Sequence, residues 1–172
     1  MATQRAYVTL YADDVSQPCR AVEWFLALND VPFTKKFVNL ARREHFDDAF
    51  VKLNPLKKVP VVVVGTGASS HVLLESHAIM RYFVNVDRAP DHYYPRAPLA
   101  RHAVDAVLDW HHLGLRMHAS GLLMQRYMLP MRRPDRKVNE KAAKAAESAL
   151  HAALEHVDGV LGAAAAATHR HA

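Results

Sequence analysis

The residues best placed to do chemistry stand early in the chain, in Ser16-Gln17-Pro18-Cys19-Arg20-Ala21-Val22. An apolar run at 6–12 precedes them and reads as a buried strand. Val22, Phe25, Leu26 and Leu28 follow at helical spacing. Pro18 falls in the first turn of that helix, where its missing N–H costs nothing. The junction therefore sets backbone N–H groups, a hydroxyl and a thiol at the positive end of a helix, a place suited to phosphate, carboxylate or thiolate. Two readings of Ser16 stay open: a hydroxyl that stabilises a thiolate, or a plain helix cap. Cys19 is either an activated thiolate in a Ser-x-x-Cys frame or a small hydrophobe facing the core. Farther on, Glu75-Ser76 opens another helix. Its N–H groups and the Ser76 hydroxyl suit a carboxylate, and Glu75 suits an ammonium; together they fit an α-amino-acid end. His45, Lys57 and Lys58 offer positive charge for a second carboxylate.

These groups need elements to hold them. Residues 6–12 are read as strand one and 17–29 as helix one. Asn29-Asp30-Val31-Pro32 makes a turn, because Pro32 disfavours helix at Val31. Residues 33–39 alternate as a half-buried second strand. Residues 42–53 place Phe46, Ala49, Phe50 and Leu53 at helical spacing, a second helix that Asn54-Pro55 ends. The β-branched run at 59–64 reads as an inner strand, with Pro60 at its first residue because proline forfeits a ladder bond. A loop at 65–70, a short antiparallel strand at 71–74 and a helix at 76–86 complete the order β-α-β-α-β-β-α. Residues 87–98 carry three prolines and read as a linker. Beyond Leu99 the chain turns helical, with Val104, Val107, Leu108 and Leu115 on one side, and Pro130 and Pro134 as interruptions. Residues 137–162 are alanine-rich and amphipathic, with Leu150, Leu154, Val157 and Leu161 at core spacing, and 163–172 read as frayed.

Composition narrows the classes. Half of the 172 residues are apolar (51%), enough for a packed core. No apolar run nears the ~20 residues of a membrane span, and no charged-then-apolar leader opens the chain. A single cysteine cannot make an internal disulfide, which fits a reducing cytoplasm. The net charge of +5 comes from 22 basic and 17 acidic residues that are scattered, without a nucleic-acid module. A basic surface that attracts an anionic small molecule is the better reading. The 12 histidines form no zinc pattern, so no metal is expected.

The helix-one motif, Asn29-Asp30-Val31-Pro32-Phe33, Asn54-Pro55-Leu56-Lys57-Lys58-Val59-Pro60, Glu75-Ser76 and Asp91-His92-Tyr93-Tyr94-Pro95 resemble theta-class glutathione transferases in order and spacing. The similarity runs over roughly residues 5–130. It implies a thioredoxin-like α/β N-terminal domain at 1–86, with a mixed four-stranded sheet, and a linker at 87–98. It also implies an incomplete all-α domain at 99–172 that contributes to an electrophile site. Relatives of this type continue through further helices, so the helices present should show apolar surface that self-association would cover.

For function, the resemblance implies conjugation of glutathione to a small hydrophobic electrophile by nucleophilic substitution. Ser16 would activate the thiol, and Arg116 would approach the sulfur or the substrate. His45 and Lys58 would meet the glycine carboxylate, with Val59 giving a backbone contact ahead of a cis Pro60. Glu75 and Ser76 would grip the γ-glutamyl end. Trp110, Leu123 and Tyr127 would line the electrophile pocket. Glutathione is then a co-substrate, no redox cofactor is needed, a homodimer is expected, and neither nucleic acid nor a membrane is a partner. Three rivals remain. One is a glutathione-binding module with weak turnover. Another is a Cys19-dependent thiol reductase. The third is an interaction module like the transferase-like domains attached to translation factors.

Overall fold

The computed structural model describes residues 7–87 and 90–168. The chain divides into two compact units, Met1–Ala97 and Pro98–Ala172. In the first, buried and half-buried residues alternate along β1 (Val8–Ala12), so Leu10 and Tyr11 face opposite sides of a sheet. Helix α1 (Gln17–Leu28) carries the chain across to β2 (Thr34–Phe37), which lies parallel to β1. A 3-10 turn (Glu44–Phe46) and a short helix α2 (Asp48–Leu53) lead to β3 (Val61–Val64), antiparallel to β1. Strand β4 (His71–Leu74) pairs antiparallel with β3, and α3 (Ser76–Asp87) follows. The four strands lie in the order β2-β1-β3-β4, the mixed sheet expected of a thioredoxin-like domain. Gly65 makes the β3–β4 turn possible: its φ is +92°, and a Cβ there would sit 2.7 Å from the Ser69 carbonyl oxygen.

The sheet has a core on each face. Leu10, Val62 and Val64 pack with Cys19, Val22 and Leu26 of α1 and with Ile79 and Phe83 of α3. On the other face Val61, Val38 and Phe50 of α2 pack with Tyr11 and Leu53. Burying each such side chain contributes roughly 1.5–3 kcal/mol, which holds the strand ends in place.

Several local expectations are corrected. Helix one stops at Leu28; the Asn29 side chain donates to the Phe25 carbonyl (2.8 Å), and left-handed Asp30 (φ 52°) turns the chain away. Strand two is an exposed edge, not half-buried. Its Phe37 is exposed, and the buried residue is Val38 just beyond it. Helix two does not begin at 42, because Arg43 is left-handed (φ 64°) and Asp47 is extended, which splits the segment into a 3-10 turn and α2. Phe46 therefore lies on the 3-10 turn and is exposed. Pro60 precedes β3, is buried, and follows a cis peptide bond from Val59. The first residues of strand one, up to Ala6, lie outside the described part.

Over its described length the second unit is helical apart from the connection at 133–139. Helix α4 (Pro98–His111) runs into a π-helical segment (His112–Arg116), then α5 (Met117–Leu123), a second π segment (Met124–Met128) and α6 (Leu129–Arg132). The junction residues keep right-handed helical dihedrals, so the path is unbroken. Pro130 does not interrupt it: the π turn just before widens the helix where a proline ring would otherwise meet the preceding turn. The helix ends at Arg132, short of Pro134.

Helix α7 (Glu140–Thr168) begins later and runs farther than its spacing predicts. Asn139 sets its start by accepting the Ala142 N–H (3.0 Å), and Arg126 holds Glu140 at 2.8 Å. Residues 163–168 remain helical rather than frayed, and 169–172 lie outside the described part. Of the expected core residues, Leu150 and Val157 are half-buried and Leu154 and Leu161 are exposed, while Ala143 and Ala153 are buried. Small side chains win that face because α5 comes close: a Cβ on Gly121 would lie 3.6 Å from that of Ala146.

Candidate functional site

The register of the sheet gathers the loops of interest at one end of the first unit. Ala12 pairs with Phe37, Tyr11 with Val61, and Val61 with Leu74. The ends of β1, β2 and β4 and the start of β3 thus lie side by side. From that edge emerge residues 13–16, 38–47, 54–60 and 75–76, which carry Ser16, His45, Lys58, Val59, Pro60, Glu75 and Ser76. Ligands of open α/β sheets collect at such an edge, outside the carboxyl ends of the parallel strands.

Ser16 occupies the cap position of α1: its carbonyl accepts the Cys19 and Arg20 N–H groups, both at 3.1 Å. Its hydroxyl makes no capping hydrogen bond, so the plain-cap reading covers the backbone only. The hydroxyl lies instead against the Cys19 sulfur, which also hydrogen-bonds the Asp13 backbone. Burial pushes the Cys19 thiol above its ordinary value, and the Ser16 and Asp13 hydrogen bonds pull it back by less. Cys19 is 1% exposed and packs in the core. A protonated, enclosed thiol is no nucleophile, which removes the physical basis for a Cys19-dependent reductase.

His45 sits on the 3-10 turn rather than on a helix. Beside it the exposed Phe46 ring organises the basic edge: the His45 ring is 4.4 Å away, the Arg43 guanidinium 4.5 Å and Lys57 Nζ 5.3 Å. Buried Asn54 shapes the neighbouring loop, accepting the Leu56 N–H (3.0 Å) and donating to the Lys58 carbonyl (2.8 Å). Across the edge, the Glu75 carbonyl accepts the Ile79 N–H (2.9 Å), which places Glu75 at the mouth of α3, with Ser76 buried behind it.

Backbone strain marks the same loops. Arg43, Lys57 and Glu75 all take left-handed φ values, 64°, 56° and 66°. Side chains other than glycine adopt that conformation at a cost of order 1–3 kcal/mol, and such residues cluster where a ligand is held. Sequence reasoning passed over Arg43 and read Phe46 as part of a second helix. It also overlooked Asp13, which is buried at the start of the Ser16 loop.

The remaining candidates belong to the helical unit. Arg116 ends the first π segment; burial lowers the His111 pKa, with smaller contributions from His112 and then Arg116. Trp110 is half-buried, with its ring 4.6 Å from that of His156 on α7. Gly114 makes room for it, since a Cβ there would lie 2.3 Å from the indole. Leu123 and Tyr127 are exposed, one turn apart on the same helical path. Among the described residues no helix is long and apolar enough to cross a membrane.

Comparison with known proteins agrees with this geometry. The family model for the glutathione S-transferase N-terminal domain matches residues 8–85. Mouse glutathione S-transferase theta-1 is 41% identical over 122 residues, 71% of this chain and 49% of its own. The chain thus spans about half the length of that curated relative. The apo form of human glutathione S-transferase T1-1 superposes with a TM-score of 0.78 and 36% identity, covering 86% of this chain and 60% of that one. A human theta-class enzyme in complex with the glutathione conjugate of 1-menaphthyl sulfate also gives 0.78, at 31% identity, over 87% of this chain and 59% of that one. Strand order, site loops and sequence agree: residues 8–85 form a glutathione S-transferase N-terminal domain, and the chain is similar to theta-class glutathione S-transferases.

Proposed function

We propose that the first unit binds glutathione along the gathered strand ends and that Ser16 readies its thiol for transfer to a small hydrophobic electrophile. The observation that carries this is the convergence of the Ser16 loop, the basic turn and the mouth of α3 on one sheet edge, where three side chains hold left-handed backbone.

The γ-glutamyl end sits at α3, its carboxylate on first-turn N–H groups and the Ser76 hydroxyl, its ammonium facing Glu75. Val59 meets the middle of the tripeptide through its backbone, beside Pro60. His45 and Lys58 take the glycine carboxylate. The sulfur then reaches the start of α1. The Ser16 hydroxyl turns from Cys19 to donate to it, and the helix N-terminus favours the negative charge. The thiol proton leaves to solvent, and the thiolate forms a C–S bond as the leaving group departs with its electron pair. The theta-class resemblance supports Arg116 as a positive charge for the thiolate and Trp110, Leu123 and Tyr127 as the residues that take the electrophile. Residues 87–98 serve as the linker between the glutathione-binding domain and the helices. The theta-class resemblance supports a cytoplasmic homodimer with no cofactor beyond the co-substrate.

Calorimetry of glutathione binding, with thiolate absorbance followed against pH, tests the reading. Wild type should bind and lower the thiol pKa; Ser16→Ala should still bind but return the pKa toward its free value, at about 1.4 kcal/mol per unit. Binding without any lowering in wild type would leave a glutathione receptor instead of a transferase.

A further inference from the structure

Asp13 is 4% exposed, yet it directly follows β1 at the very edge where the site gathers. Both carboxylate oxygens are spent on backbone donors from different loops. Oδ1 accepts the Val15 N–H at 2.9 Å, within the Ser16 loop. Oδ2 accepts the Leu40 N–H at 2.8 Å, at the start of the segment that leads to His45. The Asp13 carbonyl accepts the Ser16 N–H at 3.0 Å, and its backbone also meets the Cys19 sulfur. The segment beyond Leu40 is itself tied back: Asn39 N–H donates to the Glu44 carboxylate (2.7 Å), Arg42 N–H to the Asn39 side chain (2.9 Å), and Glu44 N–H to the Asn39 carbonyl (3.1 Å). The next residue is His45. On the outer side, the Arg20 guanidinium donates to the Asp14 and Val15 carbonyls at 2.7 and 3.1 Å, and Lys35 bridges Asp14 and Glu23.

A buried carboxylate is costly unless its oxygens are satisfied, and an apolar residue would fill the same space without that cost. What only a carboxylate supplies here is two acceptors pointing at two strands of backbone that share no other side-chain tie among the bonds described. We propose that Asp13 is a positioning residue, a strut that sets the spacing between the Ser16 hydroxyl and the His45 turn, and so between the sulfur and the glycine carboxylate of one bound glutathione. This rests on the glutathione reading above. Asp13 touches neither end of the ligand; it acts through the two loops.

The test uses the full chain with glutathione itself as probe, comparing wild type, Asp13→Asn, Asp13→Ala, Ser16→Ala and a stability control, Val31→Ala, at a buried site at the far end of α1. Asp13→Asn keeps the shape and one acceptor, so it carries the test even where Asp13→Ala does not fold. Thermal melts, glutathione KM, kcat, the pKa of the bound thiol and amide exchange at Val15 and Leu40 are the readouts. A strut predicts, for Asp13→Asn, faster exchange at Val15 or Leu40, a several-fold higher KM, and a bound-thiol pKa raised by about one unit, a tenfold loss of thiolate near neutral pH. Val31→Ala should lose stability without moving that pKa. If Asp13→Asn melts lower yet keeps the wild-type KM and thiol pKa, Asp13 is a structural carboxylate only and the proposal is overturned. If Ser16→Ala raises the thiol pKa and Asp13→Asn does not, the strut alone fails. If wild type never lowers the thiol pKa, the transferase reading fails and the strut with it.

Discussion

The two units of the chain are built on opposite packing strategies. In the first, large side chains are wholly enclosed: Leu10, Val22, Leu26, Val62, Ile79 and Phe83 lie between sheet and helices. In the second, the buried residues are Ala143 and Ala153, and leucines such as Leu113, Leu154 and Leu161 face outward among the described residues. The lesson concerns precision. A sheet edge fixed by interlocked β-branched side chains can hold four loops in one register. Helices that meet through alanine and glycine come close together, but fewer heavy atoms lock each one in place.

The sharpest break of this contrast is a pair of leucine truncations. Leu10→Ala should destabilise the protein by about 2–5 kcal/mol, whereas Leu161→Ala should stay within about 0.5 kcal/mol; chemical denaturation reads both. Equal losses would mean that the helical unit has a core of its own around Leu161. Next in size is Gly114→Ala. The added methyl would strike the Trp110 indole, so a loss of about 1–3 kcal/mol is expected, with a change in tryptophan emission as the ring leaves His156. An unchanged spectrum would show that the helical unit yields at no cost.

A smaller effect sharpens the first unit. Phe46→Ala removes the ring shared by Arg43 and Lys57, contacts worth about 0.5–1 kcal/mol each at an exposed site. Glutathione KM should rise while kcat stays put; a fall in kcat with KM unmoved would place Phe46 elsewhere in the mechanism. Smallest is a pH effect. Burial is the chief cause that pushes the Cys19 thiol above its ordinary value, so the fold favours the protonated form. The unfolded chain ionises first as pH climbs past that value, so stability is full below it and declines above it. Cys19→Ala should flatten that alkaline decline, and an identical slope in the variant would assign it to other groups.

Much of the first unit was legible because its signals are local. A β-branched run with proline before it, Asn-Asp at a helix end and Ser-Gln-Pro at a helix start each act within a few residues. The second helix was misjudged because Arg43 takes a left-handed backbone that no propensity would suggest. Phe46 then has cations for neighbours. In α7 the periodicity was real: Leu150 and Val157 are half-buried on the stripe that carries Ala143, while Leu161, about five turns along the same face, is exposed. Periodicity alone does not say how far along the stripe a neighbour reaches.

By itself the sequence determined the order of strands and helices, the chemistry available at Ser16, His45, Lys58, Glu75 and Ser76, and the likeness to theta-class transferases, since all of these depend on residue type and short spacing. Only the tertiary structure decided that Cys19 is sealed in the core, that Ala143 and Ala153 are buried while Leu154 and Leu161 are exposed, and that the Asp13 carboxylate reaches a loop 27 residues farther along the chain. The physical reason is the same each time. Burial and hydrogen-bond partnership are properties of what arrives from elsewhere in the chain, and no local pattern encodes the arrival.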